Sequence, residues 1–382
     1  LNFTNNRMSG ISLQEESWYR VGNAAGLNSP SLLLYHDRIE HNILKMINIA
    51  GSADRLRPHV KTHKIPEIIR LQMRFGINKF KCATIAEAEM TASCGANDVL
   101  LAVQPVGPNL GRLVRLIREF PGTSFSCIAD CSDVIVALSE AAVSNGLTIP
   151  VWLDINNGMN RTGISPGSKA EKLYQLIHES AGLLADGLHV YDGHIHEHEY
   201  QVREKMCNDA FARVEMLEEK LTSLTGSPPK IVAGGSPTFP IHAKRAGVET
   251  SPGTTILWDY NYSQSFRDLG FLNAAVLLAR VVSKPAKGLV CIDLGHKAVG
   301  SEMPQPRVWF PGLGDFRIMS HNEEHMVIMT ELASVLCPGD EVYGIPFHIC
   351  PTVDRYDAVS VVKEGNASET WYVTARKRRI TI

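Results

Sequence analysis

Arg57-Pro58-His59-Val60-Lys61-Thr62-His63-Lys64 sets three cations and two histidines into eight residues. It stands immediately before Ile65-Pro66-Glu67, which reads as a helix start because proline suits the first helical position and an acid the first turn. Apolar residues flank it on both sides. A lysine lying where a strand gives way to a helix is where α/β barrels carry their chemistry. Burial there would lower its pKa, and a neutral amine can form a Schiff base with a carbonyl. The same stretch also reads as a solvated basic turn, and the residues around it decide between the two.

Outward from it, short apolar runs alternate with helical patterns from about residue 31 to 250. The spacing predicts strands at Ser31–Tyr35, Arg57–Val60, Lys79–Thr84, Asp98–Ala102, Ser124–Ala129, Val151–Ile155, Gly187–Tyr191 and Lys230–Ala233. Each is followed by a helical stretch, such as Asp37–Ile49 with Ile39, Ile43, Leu44, Met46 and Ile47 at helical spacing, or the amphipathic Arg203–Leu224. Eight such units point to a (β/α)8 TIM barrel over residues 28–255. Past residue 255 the runs Ala274–Val282, Gly288–Asp293, Glu341–Gly344 and Thr370–Ala375 are separated by turn residues. Residues 256–382 are therefore expected to form an all-β domain, with residues 1–27 a candidate to join it.

The chain has 382 residues, 44% hydrophobic and 20% charged, with a formal net charge of -2. That composition is ordinary for a soluble globular protein and shows no basic footprint for nucleic acid. The run Arg376-Lys377-Arg378-Arg379 is short enough to be a solvated tail. The eight cysteines are scattered, several inside apolar runs, as expected of reduced thiols in a cytoplasmic protein. No apolar stretch reaches the length of a membrane span, and residues 1–7 lack the apolar core of a signal peptide.

The polar motifs fall at the ends of the expected strands. His59 and Lys61 are two apart and would point the same way in an extended segment. Asn156-Asn157-Gly158-Met159-Asn160-Arg161-Thr162-Gly163 follows the sixth, and Tyr191-Asp192-Gly193-His194-Ile195-His196-Glu197-His198 the seventh. Gly234-Gly235-Ser236-Pro237-Thr238 follows the eighth and reads as a phosphate cradle, which Ser251-Pro252-Gly253-Thr254 could complete. His194-x-His196-x-His198 has the alternation of a metal-ligand run. His348-Ile349-Cys350 offers an imidazole and a thiol, a pair that suits zinc. A satisfied core histidine and a buried core thiol are the plainer readings of that pair.

A lysine at a strand end, a glycine-rich cradle and a C-terminal β domain together resemble the fold-type III pyridoxal phosphate enzymes, with their alanine racemase-like barrel. The octapeptide, Gly158-Met159-Asn160-Arg161-Thr162-Gly163, Asn322-Glu323-Glu324-His325 and His348-Ile349-Cys350-Pro351-Thr352 resemble the D-threonine aldolase and D-serine dehydratase branch in particular. That resemblance spans nearly the whole chain. It implies that Lys61, and not Lys64, holds pyridoxal 5'-phosphate covalently, with His59 beside it. Arg161 would face the phenolic oxygen, and Tyr191 would lie close to the ring. Gly235, Ser236, Gly253 and Thr254 would bind the phosphate. His348 and Cys350 would bind a divalent metal, zinc first and manganese or magnesium as alternatives.

The reaction so implied is a lyase reaction on β-hydroxy D-amino acids, of D-threonine aldolase type, releasing glycine and an aldehyde. The alternative is D-serine dehydratase type, releasing pyruvate and ammonia; related aldolases often have a carboxylate where Cys350 stands. His194, His196 and His198 are the candidates for the base on the hydroxyl proton, and His196 and His198 are carried forward as catalytic. A homodimer is expected, with no nucleic-acid or membrane partner. A racemase and a metal-dependent hydrolase using the histidine run are the competing readings; the hydrolase leaves Lys61 and Gly234-Gly235 without a role.

Overall fold

The structure, a computed structural model, describes residues 17–382. The chain divides into two compact units. One comprises residues 17–39, with Leu257–Gln264 and Leu272–Tyr372; the other comprises Glu40–Ile256, Ser265–Phe271 and Val373–Ile382.

The first unit contains β1 (Ser31–Tyr35). This strand was expected in the barrel, and the structure corrects that. β1 pairs antiparallel with a later strand, Leu33 opposite Val276, and parallel with another, Leu33 opposite Ser360. Leu32, Leu33 and Leu34 are fully buried. A run apolar on both faces suits either sheet, and its periodicity carries no information about which.

The second unit is built on seven parallel strands in sequential order. They are β2 (Lys79–Cys82), β3 (Asp98–Leu101), β4 (Ser124–Ala129), β5 (Ile149–Asn156), β6 (Leu183–Tyr191), β7 (Lys230–Ala233) and β8 (Val248–Thr250). Leu100, Ile128, Trp152 and Val232 form one buried cluster. Because β7 meets β3 and β4 there without pairing with them, the cluster lies inside the curl of a TIM-like barrel.

Arg57–Val60, expected as a strand, is not one. Pro58 has no N–H to give a ladder, and the chain turns into a 3-10 helix at Val60–Thr62. The segment nevertheless spans the gap between the two edge strands. The Arg57 N–H donates to the Thr250 carbonyl (2.8 Å) and the His59 N–H to that of Pro252 (2.8 Å), while the Lys81 N–H donates to the Pro58 carbonyl (2.9 Å). It thus takes the first barrel position. β8, short and polar at Glu249 and Thr250, takes the last and was not foreseen. The motif loops are accordingly those after β5, β6, β7 and β8.

The helix Pro66–Arg74 begins where expected, with Pro66 in its first turn and the His63 Nδ1 accepting the Ile65 N–H (3.0 Å). The helix Ile85–Ser93 is capped by Thr84, whose hydroxyl accepts the Glu87 N–H (3.1 Å).

In the first unit, β9 (Ala275–Ser283) is central, pairing with β1, with β10 (Leu289–Ile292) and with β14 (Glu341–Pro346). β11 (Val308–Trp309), β12 (Phe316–His321), β13 (Met326–Thr330), β15 (Ala358–Lys363) and β16 (Asn366–Tyr372) complete the sheet. Tyr19 and Val21 share its core with Leu33, Val276, Tyr343 and Ile345. No disulfide joins the described cysteines. No helix among the described residues is long and apolar enough to cross a membrane.

Candidate active site

Three cations converge on one aromatic ring at the C-terminal ends of the barrel strands. Tyr191 closes β6, and its ring centroid lies 5.0 Å from Arg161 Cζ, 5.8 Å from Lys61 Nζ and 5.5 Å from Lys81 Nζ. The negative face of the ring accommodates positive charge, and the three side chains form a positive cluster suited to an anionic ligand. The Lys61 N–H donates to His59 Nδ1 (3.2 Å). Burial, with Lys61 and Lys81 nearby, pushes the His59 imidazole well below its ordinary pKa, so it is a neutral acceptor. Lys64 is engaged elsewhere: its Nζ pairs with the buried Glu87 carboxylate at 2.7 Å.

The cradle adjoins that ring. Ser236 is buried, and its Oγ accepts the N–H groups of Gly253 (3.2 Å) and Thr254 (3.1 Å). Two backbone donors and a hydroxyl at one point are what a phosphate requires. A Cβ on Gly253 would lie 3.1 Å from His59 Cβ, and one on Gly235 would lie 3.0 Å from Tyr191 Cε2. The cradle, the lysine turn and Tyr191 are therefore contiguous, and side chains at these glycines would fill the space. Beneath it, Thr238 Oγ1 accepts the Gly235 N–H (3.2 Å) and donates to Asp192 Oδ1 (2.7 Å). Asp192 Oδ2 pairs with His242 Nε2 at 2.8 Å, and the Cys207 thiol lies 3.3 Å from that same nitrogen. Asp192, Cys207 and His242 are the group of three among the described residues that could hold a metal. Their mutual hydrogen bonds also make them a buried foundation for the cradle.

A second buried chain went unnoticed in the sequence. Lys81 Nζ lies 3.4 Å from His189 Nε2, and His189 Nδ1 lies 2.7 Å from Asp154 Oδ1. Burial raises the cost of charge on Asp154, but its bond to His189 holds the carboxyl low. Burial, with the charge of Lys61, brings the Lys81 amine down from 10.5 to about 7. Between those pH values the unfolded chain keeps a proton that the folded protein has released. Stability of the cofactor-free protein should therefore rise with pH across that window, by at most about 1.4 kcal/mol per pH unit. Lys81→Met should flatten the rise, as read by urea denaturation at a series of pH values. An unchanged slope in the variant would contradict the assignment.

The histidine run is dispersed. His196 and His198 are exposed, His196 bonded through Nδ1 to the His194 carbonyl (2.8 Å) and His198 edge-on to Phe266. The His194 ring lies over Gly158, where a Cβ would come within 2.7 Å of Nε2. The loop after β5 is folded on Asn156, whose Oδ1 accepts the N–H groups of Gly158 (3.1 Å) and Asn160 (3.0 Å).

In the first unit, His348 stands at the N-cap position of the short helix Ile349–Val353, with no side-chain capping bond. Its Nδ1 is hydrogen-bonded to the Glu302 carboxylate, and the Cys350 thiol is within hydrogen-bond reach of the imidazole. Burial works to lower the His348 pKa; Cys350, Glu302 and Asp259 outweigh it and raise it to about 9. Asp259 is buried, accepts the N–H groups of Ile349 (3.1 Å) and Tyr262 (2.9 Å), and is pushed up by burial to about 6. His348 and Cys350 set an imidazole beside a thiol, two donors that suit a divalent cation, while Glu302 and Asp259 are taken up by His348 Nδ1 and by backbone N–H groups. Glu302 and Asp259 were not singled out in the sequence.

Comparison with known proteins agrees with this geometry. Residues 35–260 match the family "Alanine racemase, N-terminal domain", and residues 274–362 match "Putative serine dehydratase domain". The chain is 30% identical to the D-threonine aldolase of Arthrobacter sp over 92% of its length and 93% of that protein's. It is 27% identical to the 3-hydroxy-D-aspartate aldolase of Paracoccus denitrificans (strain Pd 1222), over 92% of both chains. The crystal structure of D-threonine aldolase from Filomicrobium marinum superposes with a TM-score of 0.85 at 29% identity, covering 92% of this chain and 96% of that one. The chain belongs to the alanine racemase N-terminal domain family and, within it, to the group of lyases that includes D-threonine aldolase.

Proposed function

We propose that this protein is a pyridoxal phosphate- and metal-dependent lyase of β-hydroxy D-amino acids, of D-threonine aldolase type. The observation that carries the reading is the contiguity of Lys61, the ring of Tyr191 and the cradle of Ser236, Gly253 and Thr254 in one barrel. Lys61 would hold pyridoxal phosphate covalently, with its phosphate on Gly235, Ser236, Gly253 and Thr254. Bound there, the cofactor supplies an electron sink for charge developing at Cα. A divalent metal on His348 and Cys350, zinc before manganese or magnesium, would supply Lewis acidity toward the substrate hydroxyl.

The chain's own residues do the rest. Tyr191 walls the pocket, and Arg161 balances negative charge beside it. His59, neutral, holds the Lys61 turn by accepting its N–H. Lys61 would be the amine available to exchange a proton at Cα. His196 or His198, exposed after Tyr191, takes the hydroxyl proton. The expected assembly is a homodimer acting on a small-molecule substrate, testable by size-exclusion with light scattering.

A second reading has a specific observation in its favour. The region carrying His348 and Cys350 matches the putative serine dehydratase domain, which supports β-elimination from D-serine. The two reactions separate by product. D-threonine should give glycine and acetaldehyde faster than D-serine gives pyruvate and ammonia; the reverse order would favour the dehydratase. Chelation should lower turnover by about tenfold or more, restored by zinc or manganese. Full activity after complete metal removal would refute the role of His348 and Cys350.

A further inference from the structure

His348 is half-exposed, yet both its main chain and its ring are held. Its main chain is fixed on both sides of the Cα. The Ile349 N–H donates to Asp259 Oδ2 (3.1 Å), and the His348 carbonyl accepts from Thr352 Oγ1 (2.7 Å). Thr352 Oγ1 in turn accepts the Gly300 N–H (3.0 Å), which draws the segment 300–302 against this turn. Gly300 is required for that approach. A Cβ there would lie 2.7 Å from Pro351 Cγ and 3.3 Å from the His348 carbonyl oxygen. The close approach delivers Glu302 to the imidazole, where its carboxylate meets Nδ1.

We propose that Glu302 is the positioning residue of this centre, holding the proton on His348 Nδ1 so that Nε2 is the nitrogen presented to a divalent cation, shared with Cys350, that takes the place of any Nε2 proton. This rests on the reading of His348 and Cys350 as metal ligands. A carboxylate on the far nitrogen selects the tautomer, fixes the plane of the ring and makes the ligating nitrogen more basic. Losing such a partner typically costs about 10–100-fold in metal affinity.

Cobalt(II) added alone to the metal-free full chain provides the test, because its thiolate charge-transfer band reports ligation by Cys350 independently of turnover. Glu302→Ala should weaken cobalt binding by about 10–100-fold. Glu302→Gln should fall between the two, since its amide oxygen still accepts from Nδ1 but carries no charge. At saturating cobalt both variants should regain the wild-type band and keep the wild-type Tm. Wild-type affinity in Glu302→Ala, with binding still lost in Cys350→Ala, would overturn the proposal alone. Weakened binding with an equal fall in Tm in both variants would also overturn it, by making the contact merely structural. A wild-type chain that binds no cobalt would overturn the metal-site reading and the proposal together.

Discussion

Lys61→Ala is expected to cut turnover of D-threonine by on the order of 10³-fold or more and to abolish covalent retention of the cofactor, while the barrel stays folded. The Lys61 side chain is half-buried and reaches toward the face of Tyr191 at 5.8 Å. Its backbone bond to His59 survives truncation. The two other lysines nearby are each engaged, although Lys81 Nζ is itself 5.5 Å from the same ring. Lys64 is tied to the buried Glu87, and Lys81 is held beside His189 at 3.4 Å. The checks are steady-state turnover, the visible absorbance retained after gel filtration, and Tm. A variant that kept about a tenth of wild-type turnover would remove Lys61 from the centre of the mechanism.

Arg57→Ala is expected to lower the free energy of unfolding by about 3–5 kcal/mol. Arg57 is 1% exposed. It binds Asp98 with both terminal nitrogens (2.6 and 2.8 Å) and Glu249 through Nε (2.7 Å), and it lies over the Trp152 ring at 5.5 Å. Those carboxylates stand on β3 and β8, so the guanidinium ties the first barrel position to β8 beside it and, past β2, to β3. Truncation leaves both acids without their main partner, and only Glu249 keeps a second cation, Lys79 at 2.5 Å. Urea denaturation with a common m-value would measure the loss. A change below about 1 kcal/mol would place the pair with exposed ion pairs instead. Because Lys61 is four residues on, the variant should also hold the cofactor less tightly.

The barrel was legible because its signals are local: apolar runs of strand length, helix starts such as Ile65-Pro66, and polar motifs at strand ends. Its first and last positions were not. Pro58 breaks the ladder that the flanking apolar residues suggest, and β8 is too short and polar to register as a strand. Ser31–Tyr35 reads the same in either sheet. Within the candidate site, the sequence singles out Lys61, Arg161, Tyr191 and the cradle residues because each sits in a compact motif. Asp154 and His189 stand two residues before Asn156 and Tyr191 on the same strands, so strand alternation could have placed them on the motif-bearing face. Glu302 and Asp259 had no such signal. Each meets the His348 turn across a long stretch of chain, and no local pattern encodes that encounter.

The most direct test is to load the protein with pyridoxal phosphate, reduce it with borohydride and map the modified peptide by mass spectrometry. The phosphopyridoxyl group should be on Lys61, with none on Lys64 or Lys81, and absent from Lys61→Ala. A label on another lysine, or no label on the folded wild-type chain, would contradict the assignment of this barrel as a pyridoxal phosphate lyase anchored at Lys61.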